Sequence, residues 1–157
     1  MAMGTNGFLE YRSLSTSIVN ACGASLRSRY GPQAEPHPNT DRLPYRGTSA
    51  GGGYSTVEDL LRFAMALQQY KLLSAKYTGL ATNAQVQTPM NSGYGYGFTV
   101  RDVNGTSCYG HNGGGQGING ELEICPANGY VVAVLANMDP PAAERVAEFA
   151  VDRLPSK

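Results

Sequence analysis

The chain has 157 residues, 41% of them hydrophobic and 15% charged, and its 12 basic and 12 acidic side chains cancel to a net charge of +0. That balance fits one folded domain with its own core and argues against a charge-driven disordered segment. Nothing in it suggests nucleic acid or an acidic membrane surface as a partner, and no apolar run approaches the length of a membrane span.

The opening residues, Met1 to Phe8, lack the basic-then-apolar order of a signal peptide, and nothing in the sequence assigns a compartment. Ser13 to Ala24 has scattered apolar residues and reads as a short helix or a strand. Gly31 to Pro44 contains four prolines and reads as a loop or extended linker, with His37 as a solvated loop histidine. Residues 1–46 are accordingly expected to form an irregular amino-terminal segment, and residues 47–157 the folded part.

Tyr45 to Tyr54 is glycine-rich and leads into a helix. Ser55-Thr56-Val57-Glu58 has a capping-box pattern, and Val57, Leu60, Leu61, Ala64, Leu67 and Gln68, only the last of them polar, then fall at helical spacing as a core face. The helix is expected to run to about Tyr70, with Lys71 favourable at its carboxyl end. Gly51-Gly52-Gly53 lacks the following Lys-Ser/Thr of a phosphate loop. Lys71 to Met90 reads as a mixed helix-turn segment, and Tyr94 to Arg101, aromatic and β-branched, as a strand. Asn104-Gly105 is a hairpin turn, which also explains the Asn104-Gly105-Thr106 match to a glycosylation acceptor. Thr106 to His111 and Asn119 to Cys125 read as the next strands, then Pro126 to Gly129 as a turn. Tyr130 to Ala136 is apolar almost throughout, the pattern of a strand covered on both faces. Asp139 is expected to cap a final helix with Pro140 at its first position, and Val146, Phe149, Ala150 and Leu154 as its buried stripe. The second half is thus an α+β pattern, a four-strand antiparallel meander with flanking helices.

Cys22, Cys108 and Cys125 are an odd count, which argues against a pure disulfide framework and favours buried reduced thiols. In a hairpin centred on Gln116-Gly117, Cys108 and Cys125 would lie opposite each other, so a bridge between them is the alternative. No cysteine pair has metal-ligand spacing and the histidines are His37 and His111, so no metal site is expected. Gly115 to Gly120 spells G-x-G-x-x-G, but the residues after it read as strand where a dinucleotide site needs a helix, so no cofactor is expected.

The stretch with chemistry is Cys108 to Gly117, where His111 ends a strand-like run and glycines follow. A titratable imidazole stands beside backbone N–H groups that no Cβ shields. The order of signals is informative: Gly51 to Leu60, Tyr94 to Phe98, Gly110-His111-Asn112-Gly113-Gly114, Pro126 with an Asn-Gly turn, and an apolar strand ending in Asn137. This order resembles the carboxyl-terminal portion of the β-lactamase-related serine hydrolases, which include class C β-lactamases, D-alanyl-D-alanine peptidases and related esterases. The resemblance covers Gly47 to Leu154, with a weaker match at Met3 to Phe8.

The resemblance implies a partial β-lactamase-like, penicillin-binding-protein-like fold. It implies that His111 lies on the strand edging the cleft, in the position of the Lys or His of Lys-Thr-Gly or His-Thr-Gly, and gives electrostatic or proton help. Asn112, where Thr or Ser is usual, would orient substrate through its amide. Gly113 and Gly114 would line the substrate, and the Gly114 N–H would be an oxyanion-hole donor. The family's other two motifs do not occur: Lys71, Lys76 and Lys157 follow Gln68, Leu73 and Leu154 by three residues, and there is no Tyr-x-Asn or Ser-x-Asn. The chain therefore reads as a carboxyl-terminal fragment, catalytically incomplete alone, whose whole enzyme acts on a small-molecule ester or amide. Its expected partners are a missing amino-terminal half, or a second copy covering the Tyr130 to Ala136 edge, which the family pairs with an amino-terminal strand. The alternatives are a non-catalytic binding or interaction module and a complementing half of a split hydrolase.

Overall fold

The computed structural model of the protein describes residues 25–26, 37–38, 47–49 and 51–155. Ser13 to Ala24, Met3 to Phe8 and Cys22 lie outside the described residues. Within the expected Gly31 to Pro44 loop or extended linker, the described His37–Pro38 (β2) pairs antiparallel with Ser25–Leu26 (β1).

Val57–Gln68 forms α1. Its cap is Thr56, one residue later than expected: the Thr56 hydroxyl accepts from Asp59 N–H at 3.1 Å, and Glu58 and Asp59 place negative charge in the first turn. The helix stops two residues before Tyr70. Tyr70 adopts φ 58°, its N–H donates to the Leu67 carbonyl, and the Lys71 N–H donates to Ala66, a Schellman closure that ends the helix. Ala75–Thr82 forms α2.

The sheet has six strands in chain order: Val86–Gln87 (β3), Gly93–Tyr94 (β4), Thr99–Val103 (β5), Thr106–Gly115 (β6), Ile118–Cys125 (β7) and Tyr130–Ala136 (β8). All neighbours pair antiparallel, so the expected meander is confirmed and extended by two short strands. The expected continuous strand Tyr94 to Arg101 is broken by a turn at Gly95 to Phe98. Two glycines impose the break. A Cβ on Gly95 would sit 2.1 Å from the Ala81 carbonyl, and Gly97 has φ 87°. The Tyr96 N–H then donates to the same Ala81 carbonyl at 3.0 Å, tying the turn to the end of α2.

Side chains alternate across each strand, so adjacent residues serve different layers. Tyr109, Leu122, Ile124, Val131 and Ala133 pack with Ala64 and Leu67 of α1 on one face. Cys108, Cys125, Tyr130 and Val132 pack with Val151 and Leu154 on the other, and Val134 with Ala143 and Ala147. The sheet is therefore covered on both sides, as the apolar β8 sequence predicts.

The last helix, α3, is Ala142–Val151 and differs from expectation. Asp139 does not cap it; its carboxylate accepts from the Gly117 N–H at 2.7 Å. The buried stripe is Ala143, Ala147, Val151 and Leu154, while Val146 and Phe149 are 47% and 61% exposed. Close approach of helix to sheet selects small residues for the contact, which the bulk of Val146 and Phe149 does not meet.

Cys108 and Cys125 are joined as a disulfide, which corrects the expectation of reduced thiols. The β6–β7 register puts them directly opposite, with Cα atoms 4.3 Å apart, the spacing of a non-hydrogen-bonded antiparallel pair whose side chains converge. With a sequence separation of 17 the bridge should contribute roughly 3 kcal/mol. Urea unfolding of the protein with and without reductant, checked against the double variant Cys108→Ser/Cys125→Ser, should show that loss; coincident curves would refute it.

Candidate active site

β5 begins at Thr99, which pairs with Gly110, whereas β6 continues to Gly115 against β7 alone. From His111 to Gly115 one edge of β6 is therefore unpaired among the described residues. The orientation of its backbone follows from the register. Cys108–Cys125 is a non-hydrogen-bonded pair with respect to β7, and stepping by two makes Asn112–Glu121 and Gly114–Asn119 pairs of the same kind. The N–H and C=O groups of Asn112 and Gly114 therefore point out of the open edge. Residues 111 to 114 are all exposed.

His111 shares the α1 face with Tyr109. Its Nδ1 donates to the Asn112 carbonyl, and its Nε2 lies 3.0 Å from the Tyr94 hydroxyl, with the rings edge-to-face at 6.0 Å. Tyr94 reaches it past the first residue of β5, from the row Tyr94–Thr99–Gly110. The side chain of Asn112 lies on the opposite face, where its amide donates to Glu144 Oε1 of α3 at 3.1 Å. The expected site residues thus divide: His111 and the Gly114 N–H lie along the open edge, Gly113 turns its N–H and C=O toward β7, and Asn112 brings only its backbone to the edge.

The glycine segment is held from the α3 side. Asn119, 4% exposed, donates to the Gly113 carbonyl at 2.9 Å and to Glu144 Oε1 at 3.0 Å, and its Oδ1 accepts from the Ala143 N–H at 2.7 Å. This amide, rather than Asp139, satisfies the α3 amino terminus. Burial raises the Glu144 pKa, but hydrogen bonds from Asn119, its own backbone and Asn112 outweigh that and hold it below the usual carboxylate value. A Cβ on Gly114 would stand 2.5 Å from Pro140 Cγ, so only glycine fits against this side. Tyr94, Asn119 and Glu144 were not marked by sequence; the signal for Asn119 was a polar residue in a half-buried strand.

On the same face Arg101 Nε donates to Glu123 Oε1 at 3.0 Å, and Glu123 is 3% exposed. Glu121 beside it is pushed up to about 7, first by burial and then by Glu123, with Arg101 opposing and Glu144 and Glu148 adding to it. Among the described residues one trio, Cys108, Glu123 and Cys125, brings ligand-type atoms within 4.8 Å of one another. Its sulfurs are bonded to each other and its carboxylate to Arg101, so as folded it offers no free thiolate to a metal. The residues after the G-x-G-x-x-G pattern are β7, as the sequence indicates.

An imidazole and a phenol thus stand beside an outward-facing backbone N–H on a glycine strand edge. The sheet with helices on both faces is that of the penicillin-binding-protein-like hydrolases. The chain belongs to the Beta-lactamase family, whose profile matches residues 19–155. It is 31% identical over 119 residues to penicillin-binding protein 4 of Amycolatopsis lactamdurans, covering 68% of this chain and 31% of that protein. It resembles the structure of a penicillin-binding protein from Bacillus halodurans at TM-score 0.72 and 25% identity, over 85% of this chain and 40% of that one. The octameric penicillin-binding protein homologue of Pyrococcus abyssi matches at TM-score 0.68 and 25% identity, over 82% and 29%. A D-stereospecific amidohydrolase from Streptomyces matches at TM-score 0.58 and 28% identity, over 68% and 32%. The chain spans 31% of the length of the curated relative.

The raised Glu121 pKa has a consequence for stability. The folded state holds this proton more tightly than the unfolded chain, so its contribution is full below about 4.5 and is lost as pH rises through about 7. The urea midpoint should fall across that window, and Glu121→Gln should flatten the fall; superimposable profiles would contradict the assignment.

Proposed function

We propose that this chain forms the carboxyl-terminal, substrate-edge part of a β-lactamase-related serine hydrolase that cleaves a small-molecule ester or amide by acyl transfer. The observation that carries this is the open edge of β6, where the outward Gly114 N–H stands three residues along from His111. In this reading the Gly114 N–H donates to the developing oxyanion. A donor of that kind is worth about 10²–10³ in rate. The outward Asn112 N–H aligns the substrate, Gly113 lines it without a Cβ, and His111 supplies proton or electrostatic help. The same ester and amide chemistry is in keeping with the amidohydrolase among the structural neighbours.

The 157 residues contain neither Ser-x-x-Lys nor Tyr-x-Asn or Ser-x-Asn. A serine is a poor nucleophile without an adjacent base, so the nucleophile comes from a segment outside these residues, and the chain alone is a fragment without turnover. Purified protein should leave a chromogenic cephalosporin and a nitrophenyl ester intact. Co-expression with an amino-terminal half from the family should restore ester cleavage, and His111→Ala should remove it again. Turnover by the isolated chain, lost in His111→Ala, would overturn the incompleteness; failure of every complementing half would overturn the hydrolase reading.

We further propose that the chain assembles through β8, either with itself or with the complementing half. β8 is the last strand of the sheet, and Tyr130–Ala136 leaves its outer backbone unpaired among the described residues. The octameric state of the Pyrococcus abyssi homologue supports self-association in this family. Light scattering of the isolated protein should report a dimer or larger; a monomer at high concentration, with no mass gain on adding the complementing half, would rule the β8 contact out.

A further inference from the structure

We propose that Cys108, Cys125 and Glu123 form a site for a divalent, thiolate-seeking metal, zinc by its chemistry, which opens when the disulfide is reduced. The site lies on the α3 face of the sheet and needs nothing from the hydrolase reading. Its members are brought together by strand pairing. Glu123 and Cys125 are two residues apart on β7, so their side chains share a face. The β6–β7 register sets Cys108 opposite Cys125 on that face. The two sulfurs and a carboxylate oxygen of Glu123 all lie within 4.8 Å of one another. Donors around a tetrahedral zinc stand roughly 3.5–3.8 Å apart, so once the S–S bond is broken small side-chain movements close the three onto one ion.

The carboxylate is the telling member. A disulfide is uncharged and gives no reason for an acid beside it. Glu123 is nonetheless 3% exposed, next to the apolar cluster of Val103, Val151 and Leu154 that encloses the sulfurs. A buried carboxylate needs compensating charge. Arg101 supplies one positive charge, donating to Oε1 at 3.0 Å, and no other described residue hydrogen-bonds to this carboxylate. Lone pairs therefore remain for a metal. The charge balance selects the ion. Two thiolates, one carboxylate and one guanidinium leave two negative charges, which a divalent cation cancels, whereas monovalent copper would leave one charge buried. Among divalent ions, thiolate donors favour zinc.

The reaction balances. A dithiol gives two electrons and two protons, the S–S bond breaks to two thiols, and the dithiol closes to its own disulfide. Zinc then displaces both thiol protons to solvent, while Glu123 binds as the carboxylate it already is. Three protein donors leave the fourth tetrahedral position to water. The metal thereby takes over the task of the bridge, joining β6 to β7 in the same register.

The test uses the full chain carrying Cys22→Ser, so that no third thiol reports. After treatment with a dithiol and desalting without oxygen, alkylation should count two thiols. Cobalt(II), added as the probe, should bind once per chain with the visible bands of a tetrahedral site and a thiolate charge-transfer band; the oxidised chain should show neither. Zinc should displace the cobalt and raise the urea midpoint of the reduced chain, which metal held only by the unfolded chain cannot do. Cys108→Ser should abolish the bands, and Glu123→Gln should weaken zinc binding about 10-fold or more. Infrared difference spectra of the chain with Glu123 intact should show a carboxylate stretch that shifts on metal binding, a readout that needs no folded Glu123 variant. A bridge that resists the dithiol in the folded chain, a reduced chain that takes up no cobalt or gains no urea resistance from zinc, or a carboxylate stretch that does not move would each overturn the proposal.

Discussion

The register of β6 against β7 is the constraint on which the site depends. It sets Cys108 opposite Cys125 so that a bridge can close, and it sends His111 and Asn112 to opposite faces. It also aims the Gly114 N–H out of the open edge. Slippage by one residue would reverse all three at once, because side-chain direction has a period of two. Cys108 would then face Ile124, and the α1 core would lose Tyr109. The disulfide holds one end of this hairpin. At the other end the carboxylate of Asp139 holds the Gly117 N–H, so the register is pinned on both sides of the glycines.

A second constraint is the difference in length between β5 and β6. An unpaired strand edge is usually a hazard, since it invites another chain. Here the exposed part is short and carries glycines where a sticky edge would carry apolar side chains. Its opening depends on a remote helix. The end of α2 captures the Tyr96 N–H through the Ala81 carbonyl, the chain turns, and β5 starts only at Thr99. Packing at one layer thereby leaves backbone free at another, and the same turn brings Tyr94 up to His111.

Much of the sheet was legible because its signals are local. Asn104-Gly105 has φ 52° and 78°, the doubly left-handed turn that this dipeptide favours. The apolar run Tyr130 to Ala136 became β8 with the same bounds. The break after Tyr94 was hidden because aromatic and β-branched residues favour strand on both sides of it. Its cause, the approach of Gly95 to Ala81, is a tertiary contact. The α3 stripe was misread for a related reason: large apolar residues look like core, yet the space over the sheet admits Ala143 and Ala147. His111 and the glycines were found as a motif, since they are adjacent in sequence. Tyr94 was not, because it is 17 residues away and meets His111 only across the end of β5.

Glycine gives β6 its openness but supplies nothing to hold its backbone in one direction. The hold comes from one side only. Asn119, fully bonded, ties the Gly113 carbonyl to the α3 amino terminus, and Glu144 gathers the amides of Asn112 and Asn119. These are directional bonds, so they orient the outward N–H groups as well as restrain them. The two faces differ accordingly. On the α3 face Pro140 closes over Gly114, whereas a Cβ placed on Gly113 would meet no described atom within 4 Å. The described residues therefore leave the α1 face open at Gly113, the face to which His111 belongs.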